Sequence, residues 1–309
     1  MKRVFIDGSA GTTGLRIRER LAARSDIDLI TLPEEVRKDP AARKEALNSC
    51  DAAFLCLPDA AAIEAVSMVE NPNVILLDTS TAHRTDPRFA YGFPELSSAH
   101  RERVATSNRI AVPGCHASGF IALIYPLIEA GVLSEEEKLA FFSLTGYSGG
   151  GKKMIAEYES TPRDSLLSAP RQYALGQTHK HLKEMAAVTG LKNFPLFSPI
   201  VADFYSGMEV TVPLFSSQVT ATPDEIRGIY REKYRTAMVR FSEQPAEDGF
   251  LSAAKLSGLD CMEISVDGNA DRILLTARYD NLGKGASGAA IECMNLRFGL
   301  SDTEGLKIE

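Results

Sequence analysis

The chain has 309 residues, 44% of them apolar and 24% charged, with five cysteines, no tryptophan and a net charge of −7. That length suits one large globular domain or two of ordinary size. The acidic balance and the lack of a basic block argue against nucleic acid as a partner. Cysteines 50, 56, 115, 261 and 293 are odd in number and form no CxxC pair and no zinc-spaced Cys/His cluster. Reduced thiols, a cytoplasmic setting and no bound metal are therefore expected. No signal peptide is visible before the first strand. The longest apolar run, 120–133, is interrupted by Pro126 and Glu129 and is too short for a membrane span.

Residues 3–7 read as a short strand, followed directly by Gly8-Ser9-Ala10-Gly11-Thr12-Thr13-Gly14 and by Leu15, Ile17 and Leu21 at roughly helical spacing. Strand, glycine turn and helix in that order are the setting of a dinucleotide fingerprint, in which backbone amides approach a pyrophosphate. The alternation continues with strands at 27–32, 53–57 and 74–78 and helices at 40–48 and 60–69. It predicts a Rossmann-type, doubly wound parallel sheet. Ligands of such sheets collect at the carboxyl ends of the strands. That rule selects Gly8 to Gly14, the segment around Pro58, and the hydroxyl-rich Thr79-Ser80-Thr81-Ala82-His83-Arg84 as a cofactor rim.

Cys115 sits in Val112-Pro113-Gly114-Cys115-His116-Ala117-Ser118-Gly119, ahead of the apolar run. This places a thiol at the first turn of a helix, where unpaired N–H groups and the helix dipole favour thiolate. The same amides can hold an oxyanion. A buried structural cysteine is the competing reading, but Pro-Gly and the small Ala117 and Ser118 suit a turn that a ligand can approach.

Beyond Cys115 the pattern changes. A strand at 138–144 leads into Thr145-Gly146-Tyr147-Ser148-Gly149-Gly150-Gly151-Lys152-Lys153 and a helix at 154–159, a second anion-binding candidate or a flexible, solvated turn. Strands at 194–200, 208–214, 262–266 and 272–279 predict a mixed or antiparallel sheet, with a helix at 223–234 that Thr222 can cap. The last helix, ending near 298, is expected to return to the first domain. His179-Lys180-His181 places two imidazoles one residue apart, facing opposite ways on a strand and sharing a helix face poorly. A shared metal is not expected; a general acid/base serving Cys115 is, although two surface histidines fit the spacing as well.

These motifs occur in order, with Gly92-Phe93-Pro94-Glu95-Leu96 and Asp280-Asn281-Leu282-Gly283-Lys284-Gly285-Ala286 among them. Together they resemble the N-acetyl-γ-glutamyl-phosphate reductases, specifically the shorter (type 2) branch, within the wider semialdehyde and glyceraldehyde-phosphate dehydrogenase-like group. The resemblance spans nearly the whole chain. It implies NADPH-dependent reduction of N-acetyl-γ-glutamyl phosphate to N-acetylglutamate semialdehyde and phosphate in arginine biosynthesis, through a thioester on Cys115. It implies His181 as the acid/base with His179 second, and substrate contacts from Ser148, Gly149, Lys152, Lys153 and Lys180. It also implies cofactor contacts from Gly8, Ser9, Gly11, Thr12, Thr13, Gly14, Pro58, Ser80 and Asn281, and a homo-oligomer, dimer or tetramer, acting on a small molecule.

Two domains are expected, a dinucleotide-binding domain of residues 1–114 and 285–309 and a catalytic domain of residues 115–284. The family favours NADP. By physics alone, Glu34 and Glu35 lie where an NAD-specific acid would sit, while Arg37 and Lys38 can meet a 2′-phosphate. The chain departs from the family at His116, where the family pattern has tyrosine, and an imidazole there can alter the thiol pKa. An aspartate-semialdehyde-type dehydrogenase is the enzymatic alternative. A cysteine hydrolase or a non-catalytic dinucleotide sensor are the alternatives of other classes, opposed respectively by the glycine loop and by the presence of Cys115 with the histidine pair.

Overall fold

Six parallel strands form the sheet of the first unit, Met1–Pro113 with Ala286–Leu306, in a computed structural model that describes residues 1–309. They are β1 (Lys2–Asp7), β2 (Ile27–Ile30), β3 (Ala52–Leu55), β4 (Ile75–Asp78), β5 (Ala90–Tyr91) and β6 (Arg109–Ala111), in the order β2-β1-β3-β4-β6-β5. Helices α1 (Thr12–Ala22), α2 (Pro40–Ser49), α3 (Asp59–Met68) and α4 (Ser98–Thr106) connect them. Alternation along β1 sends Val4 and Ile6 to a core shared with Ile17 and Leu21 of α1, and Phe5 to a core shared with Leu47 of α2 and Ala65 of α3. Both faces of the sheet are thereby covered. The strand order reverses between β1 and β3, so a ligand crevice lies at their carboxyl ends.

The structure corrects some boundaries. β2 ends at Ile30, not at 32, because the exposed Thr31 leads toward Pro33, which has no N–H to donate. The sequence reading assigned neither α4 nor β6. Only Val104 of α4 is buried, so no apolar stripe marks it, and β6 has just three residues.

The second unit, Gly114–Gly285 with Lys307–Glu309, holds a seven-stranded mixed sheet. Its elements are α5 (Cys115–Glu129), β7 (Ala140–Gly146), α6 (Gly151–Glu159), β8 (Arg171–Gln172), α7 (His181–Thr189), β9 (Leu196–Ala202), β10 (Met208–Phe215), α8 (Pro223–Lys233), β11 (Val239–Phe241), β12 (Met262–Gly268) and β13 (Arg272–Tyr279). The order is β11-β12-β13-β10-β7-β9-β8; β7–β9 and β11–β12 are parallel and the remaining pairs antiparallel. Helix α5 packs across β10 and β13 and against α7. It is buried at every position from His116 to Ile124, which is why its sequence lacks an amphipathic stripe. Thr222 caps α8 in a reciprocal capping box with Glu225.

The sheet's other face is open and carries Phe142, Leu196, Phe215 and Leu274, each 42–64% exposed. The chain closes with α9 (Gly288–Arg297) in the first unit, where Ile291 and Met294 join the core beside α1. Lys307 groups with the second unit, and its carbonyl accepts the Asp260 N–H at 2.6 Å.

Candidate active site

At the crevice of the first unit the glycine loop fits a dinucleotide phosphate. Gly8 has φ +86°, and a Cβ there would lie 2.2 Å from the Cys56 carbonyl oxygen that follows β3. A Cβ at Gly14 would lie 2.6 Å from the Gly8 oxygen, so this glycine lets α1 sit against the loop. Gly11, the N-cap of α1, is exposed and its Cβ position is nearly open, with nothing nearer than 3.5 Å. It is the place where a phosphate can reach the first-turn amides. The hydroxyl oxygen of Thr12 beside it is buried without a protein hydrogen-bond partner, a group that a bound phosphate would satisfy.

A cavity of about 250 Å³ runs from Gly8 and Ser9 past the end of β2 and is lined by Arg18, Arg37, Lys38 and Arg43. Arg43 is committed to Asp7 at 2.9 Å and Glu64 at 3.1 Å. Arg37 pairs with the largely exposed Glu34 at 2.6 Å, a surface contact of little strength that a phosphate can displace. The residue just after β2 is Thr31, not an acid. Pro58 is the N-cap of α3. Ser80 is buried, with its hydroxyl bound to Asp78 at 2.8 Å, the same carboxylate that holds His83 at 2.6 Å. Thr13 lies partly buried in the first turn of α1.

In the second unit Cys115 is the first residue of α5, with Gly114 as N-cap. Burial pushes the thiols of Cys50 and Cys56 up to about 12 and also raises that of Cys261. Cys115, half-buried, stands where first-turn amides face outward from the helix. Two buried groups fix this turn. Glu184 of α7 accepts the Gly114 N–H at 2.8 Å. Tyr279 of β13 donates to the Cys115 carbonyl at 2.6 Å. The backbone of Gly285 also comes close, since a Cβ there would lie 3.2 Å from that of Cys115.

His181 opens α7 and His179 lies in the turn before it. Contrary to the expectation from their spacing, the two rings meet edge to face with centroids 4.6 Å apart. The His181 N–H donates to Nδ1 of His179 at 3.2 Å. A turn, unlike a strand or helix, lets an i, i+2 pair converge. His116, next to the cysteine, is 5.6 Å from His179 and 5.7 Å from His181 between ring centroids. Its ring is buried between Ser143 and Tyr173. Burial, aided by the charge of His179, pushes its pKa down to about 3. It is neutral near pH 7 and supplies no positive charge to the thiol.

Ser148 is buried and accepts from Nδ2 of Asn281 at 3.0 Å, while Oδ1 of Asn281 accepts the Gly207 N–H. Asn281 thus lies in the second unit, among the turns beside Ser148 and Gly149. Lys152 and Lys153 are exposed in the first turn of α6, and Lys180 is exposed just before α7. Sequence reasoning missed Ser143, Tyr173, Glu184 and Tyr279. None lies in a recognisable motif, and each is brought to the start of α5 by tertiary packing alone.

The chain is similar along nearly its whole length to known proteins. The family model of the semialdehyde dehydrogenase NAD binding domain matches residues 33–104, and that of the semialdehyde dehydrogenase dimerisation domain matches residues 115–281. An N-acetyl-gamma-glutamyl-phosphate reductase of Burkholderia lata is 41% identical over 308 residues, covering 97% of each chain. One of Brucella ovis is 42% identical over 306 residues, covering 96% of this chain and 99% of the relative. The chain belongs to the N-acetyl-γ-glutamyl-phosphate reductase family. Among solved structures, aspartate semialdehyde dehydrogenase II from Vibrio cholerae superposes with a TM-score of 0.73 at 15% identity, over 97% of this chain and 98% of that one. At that identity the likeness is one of fold, shared by reductase and dehydrogenase alike. The chain has no helix long and apolar enough to cross a membrane.

Proposed function

We propose that the chain reduces N-acetyl-γ-glutamyl phosphate to N-acetylglutamate semialdehyde and phosphate with NADPH, as a step of arginine biosynthesis in the cytoplasm. The observation that carries this reading is the first turn of α5. It places Cys115 at a helix N-terminus that Glu184 ties to the helix beginning with His181. His181 takes the thiol proton, with His179 second, and the thiolate attacks the acyl carbon. The tetrahedral oxyanion rests on the first-turn amides of α5, then re-forms C=O and expels phosphate, which takes up the proton held by His181, leaving a thioester. When bound, the cofactor supplies the hydride that reduces this thioester. Collapse of the thiohemiacetal on Cys115 releases the aldehyde and returns the thiolate. Ser148, Gly149, Lys152, Lys153 and Lys180 offer polar groups and positive charge for the phosphate and carboxylate.

Gly8, Ser9, Gly11, Thr12, Thr13 and Gly14 would hold the cofactor pyrophosphate, and Pro58 and Ser80 would complete that rim; Asn281 is a further cofactor contact in this reading. Arg37, with Arg18 and Lys38 in the same cavity, meets the 2′-phosphate. Residues 1–113 with 286–306 form the dinucleotide-binding domain and residues 114–285 the catalytic domain in this reading. The open apolar face of the second sheet, around Phe142, Phe215 and Leu274, pairs two copies into a homodimer. Phosphate-dependent reduction of NADP⁺ by N-acetylglutamate semialdehyde tests the activity. Equal or faster turnover of aspartate semialdehyde would overturn it in favour of the related dehydrogenase.

A further inference from the structure

The buried contacts of His116 define a hydrogen-bond chain whose direction can be worked out. Nδ1 of His116 lies 2.6 Å from the Ser143 hydroxyl, and Nε2 lies 2.7 Å from the Tyr173 hydroxyl. A neutral imidazole has one N–H, so one of these hydroxyls donates to the ring and the other accepts from it. Ser143 is 0% exposed on β7, and its hydroxyl has no other hydrogen-bond partner. If Nδ1–H donated to it, the serine proton would be left buried without an acceptor, at a cost of about 1–3 kcal/mol. Donation from Ser143 to Nδ1 avoids that cost. The ring proton then sits on Nε2 and is given to the Tyr173 oxygen. Tyr173 is only partly buried, and its own O–H is left free to donate elsewhere. Through the His116 ring, Tyr173 is tied to the residue that follows Cys115 in the first turn of α5, and burial, then the charge of Cys115, raises its pKa.

We propose that Ser143 and His116 are positioning residues that turn the Tyr173 hydroxyl outward, so that Tyr173 donates a hydrogen bond to the substrate oxygen as it becomes negative at Cys115. The proposal rests on the acyl-phosphate reading of the site but concerns a donor additional to the helix amides. Tyr173 keeps its proton throughout: only hydrogen-bond strength changes between ground and transition states.

Two experiments test it. Nitrogen-15 NMR of the histidine rings, with His116 identified by its absence in a His116→Gln sample, reads the tautomer without turnover. The Nε2–H form is expected, and an Nδ1–H form would overturn the assignment whatever the chain reduces. Steady-state kinetics then compare Ser143→Ala, Tyr173→Phe and the double variant, with NADPH affinity as a check on folding. Tyr173→Phe should lower kcat roughly 10²-fold with little change in KM. Ser143→Ala should lower kcat roughly tenfold alone, have no effect in the Tyr173→Phe background, and be rescued by Ser143→Thr. Additive losses, or wild-type kcat in Tyr173→Phe, would show that the chain is merely structural.

Discussion

The hydroxyl of Tyr279 donates to the backbone carbonyl of Cys115 at 2.6 Å and accepts the N–H of Gly119 at 3.1 Å. Those two backbone groups are the ones that an i to i+4 bond would join in the first turn of α5. A tyrosine from β13 therefore holds the turn that carries the thiol, and Gly119 makes room for it: a Cβ at that position would lie 2.6 Å from the hydroxyl. Tyr279→Phe should cost about 1 kcal/mol of stability in chemical denaturation. Turnover should fall about tenfold or more, since a small displacement of a nucleophile is expensive. A variant with unchanged turnover would separate this contact from catalysis.

Glu184 makes the matching tie from α7. Glu184→Ala leaves the buried Gly114 N–H without its acceptor and should destabilise by about 1–3 kcal/mol. Glu184→Gln keeps an oxygen in place and should recover most of that loss. Equal melting temperatures for the two variants would show that the contact contributes little.

The parts legible in the sequence are those that depend on local pattern. The glycine loop, the strand–helix alternation and the cysteine at a helix start all rest on residues within a few positions of each other. His179 and His181 were visible as a pair, but their contact was not, because spacing arguments assume regular structure and they sit in a turn. Tyr279 and Glu184 reach Cys115 across 164 and 70 residues respectively, counting to the backbone groups they bind at 115 and 114. No periodicity encodes such contacts. The open sheet face was likewise hidden, since β7 and β9 carry exposed Phe142 and Leu196 where alternation would put polar groups.

The basic cavity beyond β2 should make NADPH bind more tightly than NADH. Arg37→Ala should weaken NADPH far more than NADH if the guanidinium in that cavity serves the extra phosphate, as proposed. Fluorescence titration with both cofactors measures the difference; equal affinities in the wild-type protein would reject it.

His116 gives an acid-stability signature. Its folded pKa is depressed to about 3 from 6.5, so between those values the unfolded chain binds a proton that the folded chain does not. Its contribution therefore costs stability as pH falls from about 6.5 toward 3, by up to about 1.4 kcal/mol per pH unit, and nothing above that window. His116→Gln should flatten the pH dependence of the unfolding free energy in this range. An unchanged slope would show that the ring becomes charged in place.

His181→Asn should lower turnover roughly 10²–10⁴-fold while sparing cofactor affinity, and His179→Asn should do less. The reverse ranking would transfer the acid/base role to His179, which lies against both His181 and His116.

Cys115 carries the most direct test. With the thiols of Cys50, Cys56 and Cys261 raised by burial, iodoacetamide below about pH 8 should alkylate Cys115 first, because a helix N-terminus favours the thiolate. Peptide mass mapping after brief exposure identifies the site, and added acyl phosphate or inorganic phosphate should protect it. Cys115→Ser should abolish reduction, since an unactivated hydroxyl is a far weaker nucleophile, yet still bind NADPH through the glycine loop. Rapid mixing of the wild-type protein with acyl phosphate, without NADPH, should release a phosphate burst of about one equivalent per site as the thioester accumulates. Absence of that burst, or full activity in Cys115→Ser, would leave direct hydride attack on the acyl phosphate as the route, with the helix amides at Cys115 serving only to hold the oxyanion.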